Sequence, residues 1–419
     1  MKILMFGWEF PPHISGGLGT ACQGLTKALS EQGEEILFVV PKLFGDEEKN
    51  QIQILGANQV ENTLTYSETQ QIDQNISYIK INSTIHPYID QNDYYKIINH
   101  QKQTFDFQGG YGANLIEEVE RYAFVAASIA KQNTFDLIHA HDWLCYKAGV
   151  MAKQISHKPL IIHVHATEFD RSGENINQEV YQVEKYGMDN ADKIIAVSNL
   201  TKNTLITKYH QNPEKIETIY NGVEQNISKE SFSKAKRKKI ISFIGRITFQ
   251  KGPDYFIEAA EKVLKKDQNF TFIMAGKGDM MNKMIALVAK KRISKNFLFT
   301  GFLKETEVKQ LLSQSDIFVM PSVSEPFGIA PLEAMQHSVP TIISKQSGVS
   351  ELLTKAIKID FWDTDAMANA IYAIGNYPTL AKHLSHYGKE EAHRITWEKA
   401  AEKTIQTYQT LKKQTTKTK

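Results

Sequence analysis

Cysteine is nearly missing from this chain. Cys22 and Cys145 are the only two in 419 residues, too few for a disulfide framework or an all-cysteine zinc site. Long apolar runs are missing as well: no stretch reaches the ~18–20 residues that a membrane span needs. The opening Met1-Lys2-Ile3-Leu4-Met5-Phe6-Gly7-Trp8-Glu9 breaks its apolar run too early for a signal peptide. Neither sign of charge dominates. Lys+Arg 49 against Asp+Glu 47 leaves a net charge of +2, so no global field invites nucleic acid or an anionic membrane. The first glycine loop lacks the form Gly-x-Gly-x-x-Gly, which removes the main support for a nicotinamide enzyme. Global disorder is excluded in turn, because 42% hydrophobic and 23% charged residues are ordinary for a globular protein. What remains is a cytoplasmic, reduced protein, with two or three folding units expected at roughly 100–200 residues each.

The first half carries a strand–loop–helix rhythm. A short apolar run at 3–6 is broken by Pro11-Pro12 and followed by Gly16-Gly17-Leu18-Gly19. Leu18, Ala21, Cys22, Leu25, Ala28 and Leu29 then recur at three- and four-residue spacing, the period of an amphipathic helix. Gly33 ends that helix and 36–40 is the next strand. Strand, crossover helix and strand form a right-handed parallel unit. The pattern returns at 137–140, 160–164 and 193–197, so an open α/β sheet is expected. Residues 45–114 interrupt it. They are polar and rich in Gln and Asn, with Tyr88, Tyr94, Tyr95, Phe105, Phe107 and Tyr111, and read as an insertion carrying one or two hairpins.

A Ser/Lys-rich stretch at 228–239, ending Lys236-Arg237-Lys238-Lys239, suits a solvated linker better than a nucleic-acid patch. Beyond it the scheme restarts, with strands expected at 240–244, 270–275, 297–300, 317–320 and 341–344. The expected division is a first domain over 1–228, a second over 238–395, and a terminal helix over 396–414. That helix either returns to the first domain or packs as an ordinary amphipathic element. Two tandem α/β sheets leave a cleft between them, and ligands of open α/β sheets sit at the carboxyl ends of the strands.

Several short motifs could carry chemistry. Gly16-Gly17 lets backbone N–H groups approach an anion at a helix N-terminus, although a ligand-free turn has the same composition. Glu325-Pro326-Phe327-Gly328-Ile329-Ala330-Pro331-Leu332-Glu333 is more specific. Its prolines end a strand and leave Glu325 in the loop, with a helix beginning near Gly328 and Glu333 in its first turns. Two carboxylates there can grip sugar and ribose hydroxyls, while N–H groups around Gly328 and Ile329 face a phosphate. Singly, each Glu suits a cap or a surface charge; their shared place at a strand end favours a site. Gly245-Arg246 and Lys251-Gly252 put two permanent cations beside the second domain's first strand, which suits a diphosphate.

His139, His141, His163 and His165 alternate at two strand ends, with Asp142 and Glu168 nearby. A metal would require two facing His pairs. One His donating to a substrate oxygen, with the others bonded in the interior, is the preferred reading. Asp363-Thr364-Asp365 directly precedes a helical run and reads as a cap rather than a metal–nucleotide clamp.

Together these residues resemble the two-domain GT-B retaining glycosyltransferases, in particular family 4, which is related to bacterial glycogen and starch synthases. The likeness spans almost the whole chain, and the Glu-x7-Glu stretch is its most specific element. Tyr220-Asn221-Gly222-Val223 matches the segment leading to the interdomain linker, and Ala275-Gly276-Lys277-Gly278 the loop near the nucleotide. His141-Asp142-Trp143 and His165 match two cleft-lining positions of the first domain.

The resemblance implies two Rossmann-like domains facing a central cleft, and a retaining, metal-independent hexosyl transfer from a nucleotide-diphosphate sugar. Arg246 and Lys251 would neutralise the departing diphosphate, Glu333 would hold the ribose hydroxyls, and Glu325 the donor sugar. His165 would donate toward a sugar hydroxyl or place its backbone carbonyl beneath the anomeric carbon. Gly16, Gly17, Gly245, Gly276, Gly328 and Ile329 would line the nucleotide-sugar site, and His141, Asp142 and Trp143 the acceptor side. No cofactor is implied; ADP-glucose or UDP-glucose would be the donor, and a glucan or other carbohydrate the acceptor.

Two departures bear on the substrate. Ile14 stands where such glucan synthases usually carry a Lys, and Gln346-Ser347-Gly348-Val349-Ser350-Glu351 replaces their Thr-Gly-Gly segment with the general family 4 form. An alternative within the family sends the sugar to a lipid-linked or cell-surface polysaccharide precursor. That version usually brings a basic amphipathic surface helix, and the segment 88–98 is close to neutral. From other classes, the same fold serves nucleotide-sugar epimerases and non-catalytic sugar-binding proteins. Intact Arg246, Lys251, Glu325 and Glu333 argue against the last.

Overall fold

Each half of the chain builds one parallel sheet in the computed structural model, which describes residues 1–13, 16–47, 52–64, 104–112, 114–225 and 238–417. Strands β1 (Lys2–Phe6), β2 (Glu35–Val40), β3 (Gln53–Gly56), β4 (Leu137–His141), β5 (Leu160–Val164), β6 (Lys193–Ala196) and β7 (Ile216–Thr218) lie in the order β3-β2-β1-β4-β5-β6-β7. Strands β8 (Lys239–Ile244), β9 (Phe270–Ala275), β10 (Phe297–Gly301), β11 (Ile317–Met320), β12 (Thr341–Ser344) and β13 (Ile357–Ile359) lie in the order β10-β9-β8-β11-β12-β13. The central strands β4 and β5 are buried at every position, as parallel sheets covered on both faces require.

Parallel neighbours need crossovers, and helices supply them. The first half contains α1 (Gly17–Glu31), α2 (Leu115–Gln132), α3 (Trp143–Ser156), α4 (Glu168–Ser172), α5 (Gln178–Asn190) and α6 (Asn199–Lys208). The second contains α7 (Pro253–Lys266), α8 (Met281–Lys290), α9 (Glu305–Gln314), α10 (Ala330–Gln336), α11 (Thr364–Asn376), α12 (Pro378–Ala392) and α13 (Trp397–Lys417). The strand order reverses between β1 and β4 in one sheet and between β8 and β11 in the other. Loops leaving these strands diverge at each reversal and open a crevice, the usual ligand position in such sheets. This is the two-Rossmann-domain, GT-B arrangement.

The first sheet is covered on both faces. On one, Leu4, Phe6 and Ile162 pack with Tyr122 and Leu144 from α2 and α3. On the other, Ile3, Met5 and Phe38 meet Ala21, Leu25 and Leu29 of α1, together with Trp397, Ala401, Tyr408 and Leu411 of α13. Helix α13 thus packs on the first sheet although it follows the second. Close approach explains two glycines: a Cβ on Gly24 would run into the Trp397 indole, and one on Gly222 into the backbone of Thr396 and Trp397. The chain crosses between halves twice, side by side, with Val223 N donating to Ile395 O at 3.2 Å.

The stretch at 45–114 differs from its expected hairpins. Residues 53–56 form β3, which pairs parallel with β2, and Phe107 joins the first core. Tyr88, Tyr94 and Tyr95, with Ile14 and the basic pair at 236–237, lie outside the described residues. Among the described residues no helix is long and apolar enough to cross a membrane.

Candidate active site

At the second reversal the loops leaving β8, β9 and β11 meet. Gly245 N donates to Ala275 O at 3.0 Å and Ile247 N to Lys277 O at 2.9 Å, which lashes Arg246 to the Gly276 loop. Gly276 has φ +142, and a Cβ there would strike Gly245 O, so this crossing needs glycine. Arg246 is exposed and donates from Nη2 to Gln250 Oε1 at 3.2 Å. Lys251 ends a 3-10 turn (Phe249–Lys251) and pairs with Glu325. Ser322 Oγ donates to the same carboxylate at 3.2 Å, which is 6% exposed.

The backbone of Glu325 is also held: its N–H donates to Gln346 O at 2.9 Å, and its carbonyl accepts from Gly348 N at 2.8 Å. The segment 346–351 therefore braces the Glu325 loop. Gly328, at φ +99, turns the chain into α10, whose N-cap is Ile329. Glu333 follows in the first turn. Burial, with Glu305 adding to it, raises its carboxyl above the ordinary range although part of the side chain meets solvent.

The facing wall is made of neutral imidazoles. Alternate residues of a strand point to one side, so His139 and His141 of β4 stack at 4.2 Å, and His163 and His165 at and beyond the end of β5 do the same at 4.2 Å. Pairing of His141 with His163 in the sheet sets the two pairs side by side. Burial lowers His139 and His165 to about 3, and His141 and His163 well below the ordinary 6.5. His139 Nδ1 lies 2.6 Å from Tyr408 Oη of α13, and His141 Nδ1 lies 3.1 Å from His165 Nε2. His139 Nε2, His141 Nε2 and both nitrogens of His163 are buried without partners.

Ligand atoms of His139, His141 and His163 come within 4.8 Å of one another, as do those of Cys22, His141 and His165. The rings are nearly parallel, at 10° between His139 and His163 and 23° between His139 and His141. Their in-plane lone pairs therefore run side by side rather than converging as a tetrahedral ion requires. Asp142 and Glu168, the carboxylates that could complete a metal site, turn instead to Arg171, each at 3.9 Å.

Arg171 is the hub of a buried charge cluster below His165. It donates to Glu184 Oε1 at 3.1 Å, and Glu184 accepts as well from Tyr209 Oη. Burial raises the Glu184 carboxyl to about 7 against the pull of Arg171. Thr167 and Asp170 form a capping box that starts α4, which fixes the turn carrying His165. Asp142, the N-cap of α3, holds φ 62, a strained backbone for a residue with a side chain.

The two walls touch. Ser324 Oγ donates to Asp170 Oδ1 at 2.5 Å across the cleft. Ile329 packs against the core cluster that contains α1. Glu351 accepts from Asn199 N at 3.0 Å, Leu200 N at 2.7 Å and Tyr220 Oη at 2.7 Å, so a second-half carboxylate caps α6 of the first.

The structure brings Arg246, Lys251, Gly276, Glu325 and Glu333 to one reversal and His165 to the opposite wall. Gly16 and Gly17 have open space where a Cβ would stand, but Glu9 Oε1 already accepts Gly19 N at 3.1 Å, so the start of α1 faces a carboxylate. His141 is fully buried, and Asp142 and Trp143 are each 8% exposed; Trp143 belongs to the first core. Asp363 accepts Ala366 N at 2.9 Å and caps α11. Sequence reasoning passed over Glu9, Asp170, Arg171, Glu184, Ser324 and Glu351. The one signal that could have found part of this set is the density of charge in Glu168-Phe169-Asp170-Arg171, directly after a strand end.

Comparison with known proteins matches residues 2–219 to the starch synthase catalytic domain and residues 224–391 to the glycosyl transferases group 1 family. An uncharacterized glycosyltransferase of Methanocaldococcus jannaschii is 26% identical over 428 residues, covering 97% of this chain and 98% of that protein. Glycogen synthase of Mycobacterium tuberculosis is 24% identical over 426 residues, covering 99% and 95%. Among solved structures, Anabaena HepE in complex with UDP and glucose aligns with a TM-score of 0.71 at 18% identity, covering 98% of this chain and all of that one. That last likeness is one of fold.

Proposed function

The chain belongs to the group 1 glycosyltransferases, with a starch synthase catalytic domain as its first half, and from that premise we propose that it moves a hexose, glucose first among candidates, from a nucleotide-diphosphate sugar to an α-glucan or related carbohydrate with retention. The observation that carries this reading is the pairing of Lys251 with Glu325 beside Arg246, at the reversal of a parallel sheet. A donor's diphosphate competes with Glu325 for Lys251. Binding therefore frees the Glu325 carboxylate to accept from sugar hydroxyls while Arg246 and Lys251 stabilise the charge that grows on the leaving group. Glu333, whose carboxyl is raised by burial, regains polar partners when ribose hydroxyls reach it. His165 faces the transferred sugar from the other wall.

One feature favours an uncharged saccharide acceptor over a lipid diphosphate. Glu9 accepts Gly19 N at the start of α1, so a phosphate there, whether of donor or acceptor, would meet a like charge; the donor's diphosphate then has Arg246 and Lys251, whereas a charged acceptor is left without that pair.

The test is a screen of uridine-, adenosine- and guanosine-diphosphate glucose, with nucleoside diphosphate release followed with and without maltooligosaccharide and with and without EDTA. Release that depends on the glucan and survives chelation is the expected result. Epimer formation without acceptor, or no turnover of any donor with glucan, overturns the reading.

A further inference from the structure

Behind the half-exposed His165 stands a fully buried histidine, His141, and their contact is where the imidazole stack is hydrogen-bonded toward the cleft. His141 Nδ1 and His165 Nε2 are 3.1 Å apart, and burial keeps both rings neutral. In a neutral pair one nitrogen donates and the other accepts. If His165 Nε2–H were the donor, His141 would carry its proton on Nε2. That atom is buried and has no partner, so the arrangement would orphan an N–H and incur its full desolvation penalty. If His141 Nδ1–H is the donor, the unpartnered Nε2 is only a lone pair, and under-satisfied acceptors are better tolerated than orphaned donors. His165 must then carry its own proton on Nδ1.

We propose that His141 is a positioning residue that fixes His165 as its Nδ1–H tautomer, so that the ring offers the cleft a hydrogen-bond donor and not an acceptor. This rests on the reading of His165 as a group facing the sugar. It equips the side chain for donation to a sugar oxygen, one of the two roles open to that residue, and leaves its backbone carbonyl unaffected.

Asparagine can place an amide N–H near the position of a histidine Nδ1, whereas leucine offers none. Long-range proton–nitrogen correlation spectra of the histidine-labelled full chain, with His165 assigned by its loss in His165→Ala, should give an Nδ1-protonated ring in the wild type and in His141→Asn. His141→Leu should give a mixed or reversed tautomer. In transfer assays His141→Leu should lower kcat by about tenfold with donor KM within about twofold, and His141→Asn should recover most of that loss. An Nε2-protonated His165 in the wild type overturns the proposal, as does a leucine variant with unchanged spectrum and kcat. If the leucine variant fails to fold, the wild-type and asparagine spectra still decide. An Nδ1-protonated wild type in which His165→Ala transfers normally would uphold the tautomer and remove the functional reading of His165.

Discussion

The two walls of the cleft solve opposite electrostatic problems. On the second domain Arg246 is exposed and Lys251 is half-buried beside a carboxylate, so permanent charge is kept close to water and close to a ligand. On the first domain four imidazoles are held neutral, three of them buried away from water, with His139 and His165 lowered to about 3. A buried imidazole cannot supply a cation at neutral pH. On the proposed reading, stabilisation of a departing diphosphate therefore falls to the second wall, while the first offers hydrogen bonds of fixed direction. The difference also explains why carboxylates gather under the first wall. There Glu184, Asp142 and Glu168 share Arg171, and the cluster braces the turn that carries His165.

The comparison breaks most directly if the cations prove dispensable. Arg246→Ala and Lys251→Ala should each lower turnover by about tenfold or more; the exposed Arg246 should go with little change in melting temperature, whereas Lys251→Ala should lower it by stripping the buried Glu325 carboxylate of its cation. The effect should sit in kcat more than in acceptor KM, because the charge appears only as the bond breaks. Full activity in either variant would take that residue out of the site and shift the burden to the opposite wall.

Acid should expose the first wall's weakness. An unfolded chain protonates its histidines near pH 6.5, whereas folded His139 and His165 resist protonation until about pH 3. Between these values the unfolded state binds more protons, so stability is fully present above pH 6.5 and is lost as pH falls. Each such ring contributes a slope of about 1.4 kcal/mol per pH unit in that window. His163, with no partner on either nitrogen, has no hydrogen bond to lose. Burial also holds the His163 ring well below the ordinary 6.5, so His163→Phe should keep the stack and make the acid loss shallower, as read from urea unfolding at pH 6.5, 5.5 and 4.5. Parallel curves for variant and wild type would mean that the ring is already protonated or hydrated in the folded state.

Most of the fold was legible because parallel strands buried on both faces read as unbroken apolar runs. Strands β4, β5, β9 and β11 lie at or within one residue of where their runs predicted. The strands that escaped notice are all edges: β3 has only Ile54 and Leu55, while β7 and β13 are interrupted by Glu217 and Lys358. A short strand covered on one side needs no apolar run, so it leaves no trace in composition. Motif spacing sufficed to draw attention to Lys251 and Glu325, which the structure joins. It could not show that Arg171 gathers carboxylates from α3, α4 and α5, nor that Glu351 crosses to α6. Those contacts depend on how elements pack, not on their order.

Glu351 carries the smallest expected effect and sharpens the comparison at the hinge. Its carboxylate accepts two backbone N–H groups at the start of α6 and the Tyr220 hydroxyl, so it ties the cationic half to the imidazole half outside the site itself. Capping of this kind is worth about 1 kcal/mol, enough to bias an equilibrium between touching and parted walls but not to unfold either domain. Linked domains with modest interfaces move relative to one another by default. Glu351→Ala should therefore raise the radius of gyration of the ligand-free chain in solution scattering, and a nucleoside diphosphate should reverse the increase as Lys251 and Glu333 engage it. Turnover should fall by only about two- to threefold, since closure is made less frequent while the chemistry is untouched. Scattering profiles that coincide for variant and wild type, with and without ligand, would assign the apposition of the walls to Ile329 and α13 instead, and the cleft would then be preformed.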